Sequence, residues 1–240
     1  MKARAITVIA ASMLLVVLIS THSSAKPYSQ TIVDVSWPNC KLTPDKLYDT
    51  GIIGVNGGLD FRPNPCLAKQ TSWFVHYALY INTGYPGSTG PRKFASSPKH
   101  CTNPDKLCLA YNYGFNATQY AIRYADLQNA HAGQWWLDVE TDNSWTDNFL
   151  VNRASLRGAL AAIKRSALFP PTVGIYSTTG QWNAITGQWH NGLPAWLATG
   201  SLSKSVAAEA CRSRAFTGGQ IQLTQYTAGL DQNIACSMRQ

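Results

Sequence analysis

The stretch that decides the fold is Trp135-Trp136-Leu137-Asp138-Val139-Glu140, an apolar run that ends in two acids one residue apart. A short, almost wholly apolar run of this kind predicts a strand buried on both faces, as in a parallel sheet. Side chains two positions apart on a strand lie on the same face, about 7 Å apart along the chain. The stretch therefore predicts a buried parallel strand that presents a carboxyl pair at its C-terminal end.

Six further runs have the same apolar character, at 32–35, 51–55, 76–81, 172–176, 195–197 and 220–224, and helical patterns occupy 116–132 and 148–167. Strands alternating with helices predict an α/β architecture, either a closed barrel or an open doubly wound sheet. We favour a modified TIM-type (β/α) barrel, because acids and aromatic residues recur at the strand ends, which meet at one mouth in a barrel. We expect a single domain over residues 26–240.

The first 25 residues have the features of a cleaved secretory signal peptide. Lys2 and Arg4 precede an apolar run over 6–19, and the small residues at 23–25 fit a cleavage site. A membrane anchor is the alternative, but the run is shorter than the about 20 apolar residues that a bilayer span needs. We therefore expect a secreted, extracellular protein that keeps no stable membrane anchor after cleavage.

The six cysteines all follow this leader, and their even number in an exported chain predicts disulfide bonds. A metal site is the weaker alternative, since the chain has no C-x-x-C pair and no His at ligand spacing from a Cys. We expect no metal and no cofactor. Six cysteines allow fifteen connectivities, of which proximity favours Cys40–Cys66, Cys101–Cys108 and Cys211–Cys236.

Composition excludes several classes of protein. A hydrophobic fraction of 45% is too high for a disordered chain. The formal charge of +8 falls to +6 once Lys2 and Arg4 leave with the leader, and the remaining basic residues are scattered rather than clustered. This scatter argues against a nucleic-acid partner and favours attraction to an anionic cell wall. No His accompanies a recognisable Ser or Cys nucleophile motif, which disfavours a hydrolase triad.

Asp138 and Glu140 are candidates for acid–base catalysis. Two carboxyl groups this close beside tryptophans disfavour double ionisation, so one should keep its proton toward neutral pH, as a general acid requires. Asp34, between two valines at the end of the first strand, would face this pair across the barrel mouth. The alternatives are solvent-exposed strand-end acids, a metal-binding pair and, for Asp34, a helix or turn cap.

Four motifs, in order along the chain, resemble those of glycoside hydrolase family 25, the lysozymes with a modified α/β barrel. They are Asp34-Val35-Ser36, Leu137-Asp138-Val139-Glu140, Gly174-Ile175-Tyr176-Ser177 with Trp182, and Leu223-Thr224-Gln225-Tyr226 with Gly229-Leu230-Asp231. They extend over nearly the whole mature chain. Trp37-Pro38-Asn39-Cys40 after the first motif, and Leu223-Thr224 where the family has Trp, mark a divergent branch.

The resemblance implies hydrolysis of the β-1,4 bond between N-acetylmuramic acid and N-acetylglucosamine in peptidoglycan. By the same resemblance Glu140 would be the general acid and Asp138 would orient the substrate's acetamido group in a substrate-assisted route. Asp34 and Asp231 would complete the four carboxylates of the mouth.

Aromatic residues at or just past strand ends are candidates for sugar stacking, each with a place in the core as the alternative. They are Trp37, Tyr80, Tyr111, Tyr113, Tyr176, Trp196 and Tyr226. Two other functions stay open: a non-catalytic barrel that binds cell-wall carbohydrate, and a structural or interaction protein at the cell surface.

Overall fold

The computed structural model describes residues 32–87, 94–102, 105–166 and 171–236, in which eight strands close into a barrel with neighbours in chain order. The α/β barrel predicted from the sequence is confirmed. The predicted signal peptide lies outside the described residues. The strands are β1 (Ile32–Val35), β2 (Tyr48–Gly54), β3 (Phe74–Asn82), β4 (Gln134–Asp138), β5 (Thr172–Ser177), β6 (Ala195–Ala198), β7 (Ile221–Ala228) and β8 (Leu230–Ala235).

The last strand modifies the TIM-type pattern. β1 to β7 pair in parallel, whereas β8 runs antiparallel to both of its neighbours, β7 and β1. The sequence predicts seven strands and misses β8. The reason is its sequence, LDQNIA, which is not an apolar run because Asp231 and Asn233 lie on the face that looks into the barrel.

Within the described ranges, a 3₁₀ helix (Trp37–Lys41) and five α-helices accompany the strands: α1 (Leu67–Thr71), α2 (Lys106–Leu127), α3 (Phe149–Arg165), α4 (Thr179–Thr186) and α5 (Lys204–Ala210). The prediction for α3 is confirmed, and Asn148 caps it by accepting from the amides of Leu150 and Val151. Among the described residues, no helix has the length and apolar character to cross a membrane.

The predicted start of α2 at Asn116 is wrong. The helix begins ten residues earlier, where the Asp105 carboxylate accepts a hydrogen bond from the amide of Cys108 at 2.9 Å. Asn116 lies inside the helix, where its side chain donates to the carbonyls of Ser97 and Asn112. A cap is identified by its contacts, which the residue type alone does not provide.

Two apolar layers follow from the alternation of side chains along the strands. Outward residues such as Leu79, Leu137 and Ile175 are buried against the helices in the main core. Inward, Ile52, Trp136 and Trp196 fill the barrel, with Trp136 and Trp196 in an edge-on contact at 5.8 Å between ring centroids. This inner layer lies beneath the polar residues at the C-terminal ends of the strands.

The three disulfides join the cysteines in the predicted local pairs, with Cα–Cα distances of 5.4 to 5.6 Å. Cys40–Cys66 fastens the 3₁₀ helix to the residue before α1. Cys101–Cys108 closes the loop before α2, and Cys211–Cys236 ties the end of α5 to the end of β8. Such bonds are typical of proteins that fold in an oxidising compartment.

The contact between α2 and α3 depends on a glycine. A Cβ at Gly158 would overlap the carbonyl oxygen of Tyr111 on the facing helix. Gly158→Ala is therefore expected to lower the free energy of unfolding by about 2 kcal/mol, because overpacking outweighs the helix propensity gained. Chemical denaturation measures this loss. Gly133→Ala, whose Cβ meets nothing within 4 Å, should leave stability unchanged, and equal losses in the two variants would contradict the packing argument.

Candidate active site

A cavity of about 200 Å³ opens at the C-terminal ends of the strands. It brings together all four acids predicted from the sequence, although they are far apart along the chain. Its lining consists of Asp34, Ser36, Trp37, Gly58, Tyr80, Asn82, Asp138, Glu140, Tyr176, Trp196, Gln225 and Asp231. Parallel strands direct their C-terminal ends to one mouth, which is why residues from separate strands meet here.

Four of the predicted aromatic residues line this cavity. Trp37 stands at the rim with 49% of its surface exposed, whereas Trp196 lies on the floor and is 1% exposed. Tyr176 contacts the Trp196 ring at 4.4 Å between centroids, and Tyr80 meets it edge-on at 6.1 Å. Trp37 is thus the exposed aromatic surface at the rim, and the other three shape the wall and floor.

The other three aromatic candidates do not line the cavity. Tyr226 follows Gln225, which faces inward, so strand alternation turns Tyr226 away, and its hydroxyl donates to Gln232 Oε1 at 2.6 Å. Tyr111 carries the Lys99 ammonium over its ring on the flank of α2. Tyr113 belongs to a separate apolar cluster between α2 and α3.

Asp138 is the most deeply buried acid of the cavity. It ends β4 and is 3% exposed, with its Oδ2 accepting a hydrogen bond from the side-chain amide of Asn82. Burial raises the pKa of Asp138 well above its ordinary value, and the charges of Glu140 and Asp34 raise it further. A hydrogen bond between the Asp138 and Glu140 carboxyl groups also raises the pKa of Asp138 and lowers that of Glu140. Of the two carboxyl groups, Asp138 is therefore the one that these effects favour in the protonated form.

Glu140 lies nearer to solvent than Asp138, and it is held by contacts with Gln181 on α4 and with Trp145 in the loop that follows β4. Gln181 accepts from the amide of Thr141 at 2.6 Å and hydrogen-bonds the Glu140 carboxylate, which lowers its pKa. Burial is the larger effect, so the pKa of Glu140 is raised overall, with the charge of Asp142 adding to it. Its main-chain carbonyl accepts from Trp145 Nε1 at 2.9 Å. The carboxyl group is held in place and still open to a ligand.

Asp34 is held by two amides rather than serving as a turn cap. Its Oδ2 accepts from Asn233 Nδ2 at 2.7 Å and from Gln225 Nε2 at 3.0 Å. Those amides are themselves fixed, because Trp196 Nε1 donates to Asn233 and the Tyr176 hydroxyl donates to Gln225. Burial raises the pKa of Asp34 to about 7, against the lowering effect of the amides.

Asp231 lies on β8 at the edge of the cavity and is half-buried. Its Oδ1 accepts a hydrogen bond from the hydroxyl of Thr227 at 2.7 Å. Its charge raises the pKa of both Asp34 and Glu140. Asp231 thus acts on the other acids through its charge, and its own side chain is held by Thr227.

Sequence reasoning misses the amide side chains that hold the acids: Asn82, Gln181, Gln225 and Asn233. They come from four different elements, and single Asn and Gln residues have no spacing that distinguishes them. Gln225 does lie within the closing motif, which is the one available signal. Within the described residues, no group of three or more His, Cys, Asp or Glu side chains could hold a metal ion.

The arrangement can therefore donate and accept protons at a polar, partly enclosed cavity. Three acids with raised pKa values and fixed amide partners lie beside an exposed indole. Residues 108–208, which include Asp138 and Glu140, match the model of a family described as lysozyme-like protein 1 (Lys-1). Over this region the chain is similar to lysozyme-like proteins. The finer assignment to glycoside hydrolase family 25 stays a prediction.

A solved structure shares the fold: the modular autolysin LytC from Streptococcus pneumoniae, in complex with a synthetic peptidoglycan ligand. The two are 12% identical with a TM-score of 0.50, and the match covers 85% of this chain and 45% of that one. This chain thus corresponds to less than half of the autolysin chain. A comparison with curated proteins finds no match.

Proposed function

We propose that the protein is a secreted, muramidase-like glycosidase that hydrolyses β-1,4 bonds of peptidoglycan. The observation that carries the proposal is the meeting of Asp34, Asp138, Glu140 and Asp231 in one cavity beside an exposed tryptophan. The similarity to lysozyme-like proteins and the fold shared with a peptidoglycan-bound autolysin support it. Three disulfides fit an extracellular site of action.

Glu140 is the general acid in this proposal. In the free site the shared proton lies on Asp138, and it passes along the carboxyl–carboxyl hydrogen bond to Glu140 when substrate enters. Glu140 then protonates the glycosidic oxygen while the substrate's acetamido oxygen attacks the anomeric carbon and the bond to the leaving sugar breaks. The ionised Glu140 next takes a proton from the water that opens the cyclic intermediate, which restores the starting configuration.

Asp138 has a second part in the same step. Once it has passed its proton to Glu140 it is an anion, and it lies where positive charge develops on the acetamido group. Its burial makes this attraction stronger than it would be in water. The transfer of one proton from Asp138 to Glu140 thus makes Glu140 ready to act as the acid and gives Asp138 its stabilising negative charge.

The remaining residues place the polymer. A cavity of about 200 Å³ has room for one sugar ring, so neighbouring sugars must cross the rim, where Trp37 offers its exposed indole for stacking. Asp34 and Asp231 provide acceptors for sugar hydroxyls. The positive charge of the chain favours approach to an anionic wall.

Digestion of purified peptidoglycan tests the proposal. Mass analysis of the released fragments, after borohydride reduction, should find reduced N-acetylmuramic acid at the new ends. Reduced N-acetylglucosamine would show a different bond specificity. Binding to the wall without new reducing ends, from peptidoglycan and from chitin-like polymers alike, would support the non-catalytic barrel and overturn the glycosidase.

A further inference from the structure

The end of β3 holds Asp138 at both its side chain and its main chain. Asn82 lies directly beside Asp138 in the β3–β4 ladder, and its side-chain amide donates to the Asp138 Oδ2 atom. The next residue, Thr83, donates from its amide and its hydroxyl to the Asp138 carbonyl at 3.0 and 2.7 Å. The position of Asn82 therefore fixes the direction in which the Asp138 carboxyl group points.

Asn82 is in turn fixed by Asn56, which follows β2. The side chain of Asn56 donates to the main-chain carbonyl of Asn82 at 2.8 Å and accepts from the main-chain N–H of Asn82 at 2.9 Å. β2 ends at Gly54, so this side chain continues the ladder where β2 no longer supplies a main-chain partner. Asn56 is 3% exposed and does not line the cavity, so any effect on the acids passes through Asn82.

We propose that Asn56 and Asn82 form a positioning pair that keeps Asp138 Oδ1 directed at Glu140 and favours the ionised form of Asp138 during the reaction. Asn82 occupies Oδ2, whereas Oδ1 receives no N–H donor among the described residues and is left for the carboxyl–carboxyl hydrogen bond. An amide that donates to a carboxylate stabilises its anion. The inference rests on the proposed function, since it assigns the pair to the proton transfer from Asp138 to Glu140.

The positioning pair favours the ionised form of Asp138, whereas the groups around Asp138 favour its neutral form. The charged and titratable groups around Asp138 are Glu140 beyond β4, Asp34 on β1, and the hydroxyls of Tyr80 and Tyr176 on β3 and β5. Both carboxylates disfavour an anion at Asp138, and so does burial. The side-chain amide of Asn82 opposes them, because it donates a hydrogen bond to the Asp138 Oδ2 atom.

Asn56→Ala tests the positioning pair, because it frees Asn82 without touching the cavity. We expect kcat to fall by about 10-fold with KM little changed, since the substrate contacts stay in place. The pH profile of kcat should move to higher pH by about half a pH unit, as a weakened hydrogen bond to a charged group implies. Titration of the Asp138 carboxyl by carbon NMR, without substrate, should show a shift in the same direction.

Asn112→Ala is the matched control. Asn112 is also fully buried and exchanges the same two hydrogen bonds with a main chain, that of Lys99, but it contacts none of the four acids. It should lose comparable stability and keep the wild-type pH profile. Asn82→Leu, which has a similar side-chain shape but neither a donor nor a charge, should move the Asp138 titration by about one pH unit even if Asn56→Ala does not fold.

The outcomes separate the two proposals. If the wild type cleaves peptidoglycan and neither Asn56→Ala nor Asn82→Leu moves the Asp138 titration, the positioning pair is overturned while the glycosidase stands. If the wild type cleaves nothing but both variants move the titration, the glycosidase fails and the control of Asp138 by this pair is supported.

Discussion

Glu140→Gln is expected to lower kcat for peptidoglycan hydrolysis by about 10³-fold, the contribution of a positioned general acid. Glutamine has the same shape and can still accept the hydrogen bond from Gln181, but it cannot deliver a proton to the leaving oxygen. The fold should be unchanged, because Glu140 lies after β4 and its main-chain contact with Trp145 does not involve the side chain. The release of reducing ends measures activity, and circular dichroism checks the fold.

Glu209→Gln is the matched control for this prediction. Glu209 is the other glutamate of the chain and lies exposed on α5, away from the cavity lining. It should keep wild-type activity. Full activity in Glu140→Gln would show that the proton comes from elsewhere, and an equal loss in both variants would mean that the change is not specific to the site.

Asp34→Asn is expected to stabilise the folded protein at alkaline pH while it weakens catalysis. The pKa of Asp34 is about 7 in the folded protein against an ordinary value of 3.8, so the folded state binds its proton more tightly than the unfolded chain. Wild-type stability therefore falls as the pH rises from about 4 to about 7. A pKa difference of about three corresponds to a loss of at most about 4 kcal/mol in the free energy of unfolding. The Asn variant avoids this loss because its side chain does not ionise.

Urea unfolding at pH 4 and pH 8 measures this effect. The two proteins should unfold at nearly the same urea concentration at pH 4, and Asp34→Asn should be the more resistant at pH 8. Asp45→Asn, at an exposed position, should show no such gain. If Asp34→Asn is the less stable protein at pH 8, the charged form of Asp34 is favoured in the folded state and the argument from burial is wrong.

The sequence predicts the parts of this site that follow from strand periodicity. Buried parallel strands appear as apolar runs, and acids at their ends must meet at one mouth, so Asp34, Asp138 and Glu140 could be placed in advance. The direction of a side chain near a strand end is harder to predict from the sequence, because a shift of one residue in the strand assignment moves it to the opposite face. Gln225 faces the cavity and Tyr226 does not, although the closing motif contains both.

Elements defined mainly by tertiary contacts escape sequence reasoning. β8 is a strand because β7 and β1 pair with it on both sides, and its polar residues are typical of a loop until the cavity that they face is known. The start of α2 is set by the contact between Asp105 and the Cys108 amide. Asn82 acquires its role only through its alignment with Asp138 across a ladder that the sequence does not display.

The antiparallel direction of β8 lets one short hairpin supply both amides that hold Asp34. Gln225 and Asn233 are directly opposite each other in the β7–β8 ladder, and each donates to the same carboxylate oxygen. No crossover helix is needed between them, as it would be for parallel strands. The two donors therefore share one register, so a slip of a single residue at the turn would turn at least one of them away from the cavity. This side of the mouth is consequently less tolerant of insertions than the sides built from longer loops.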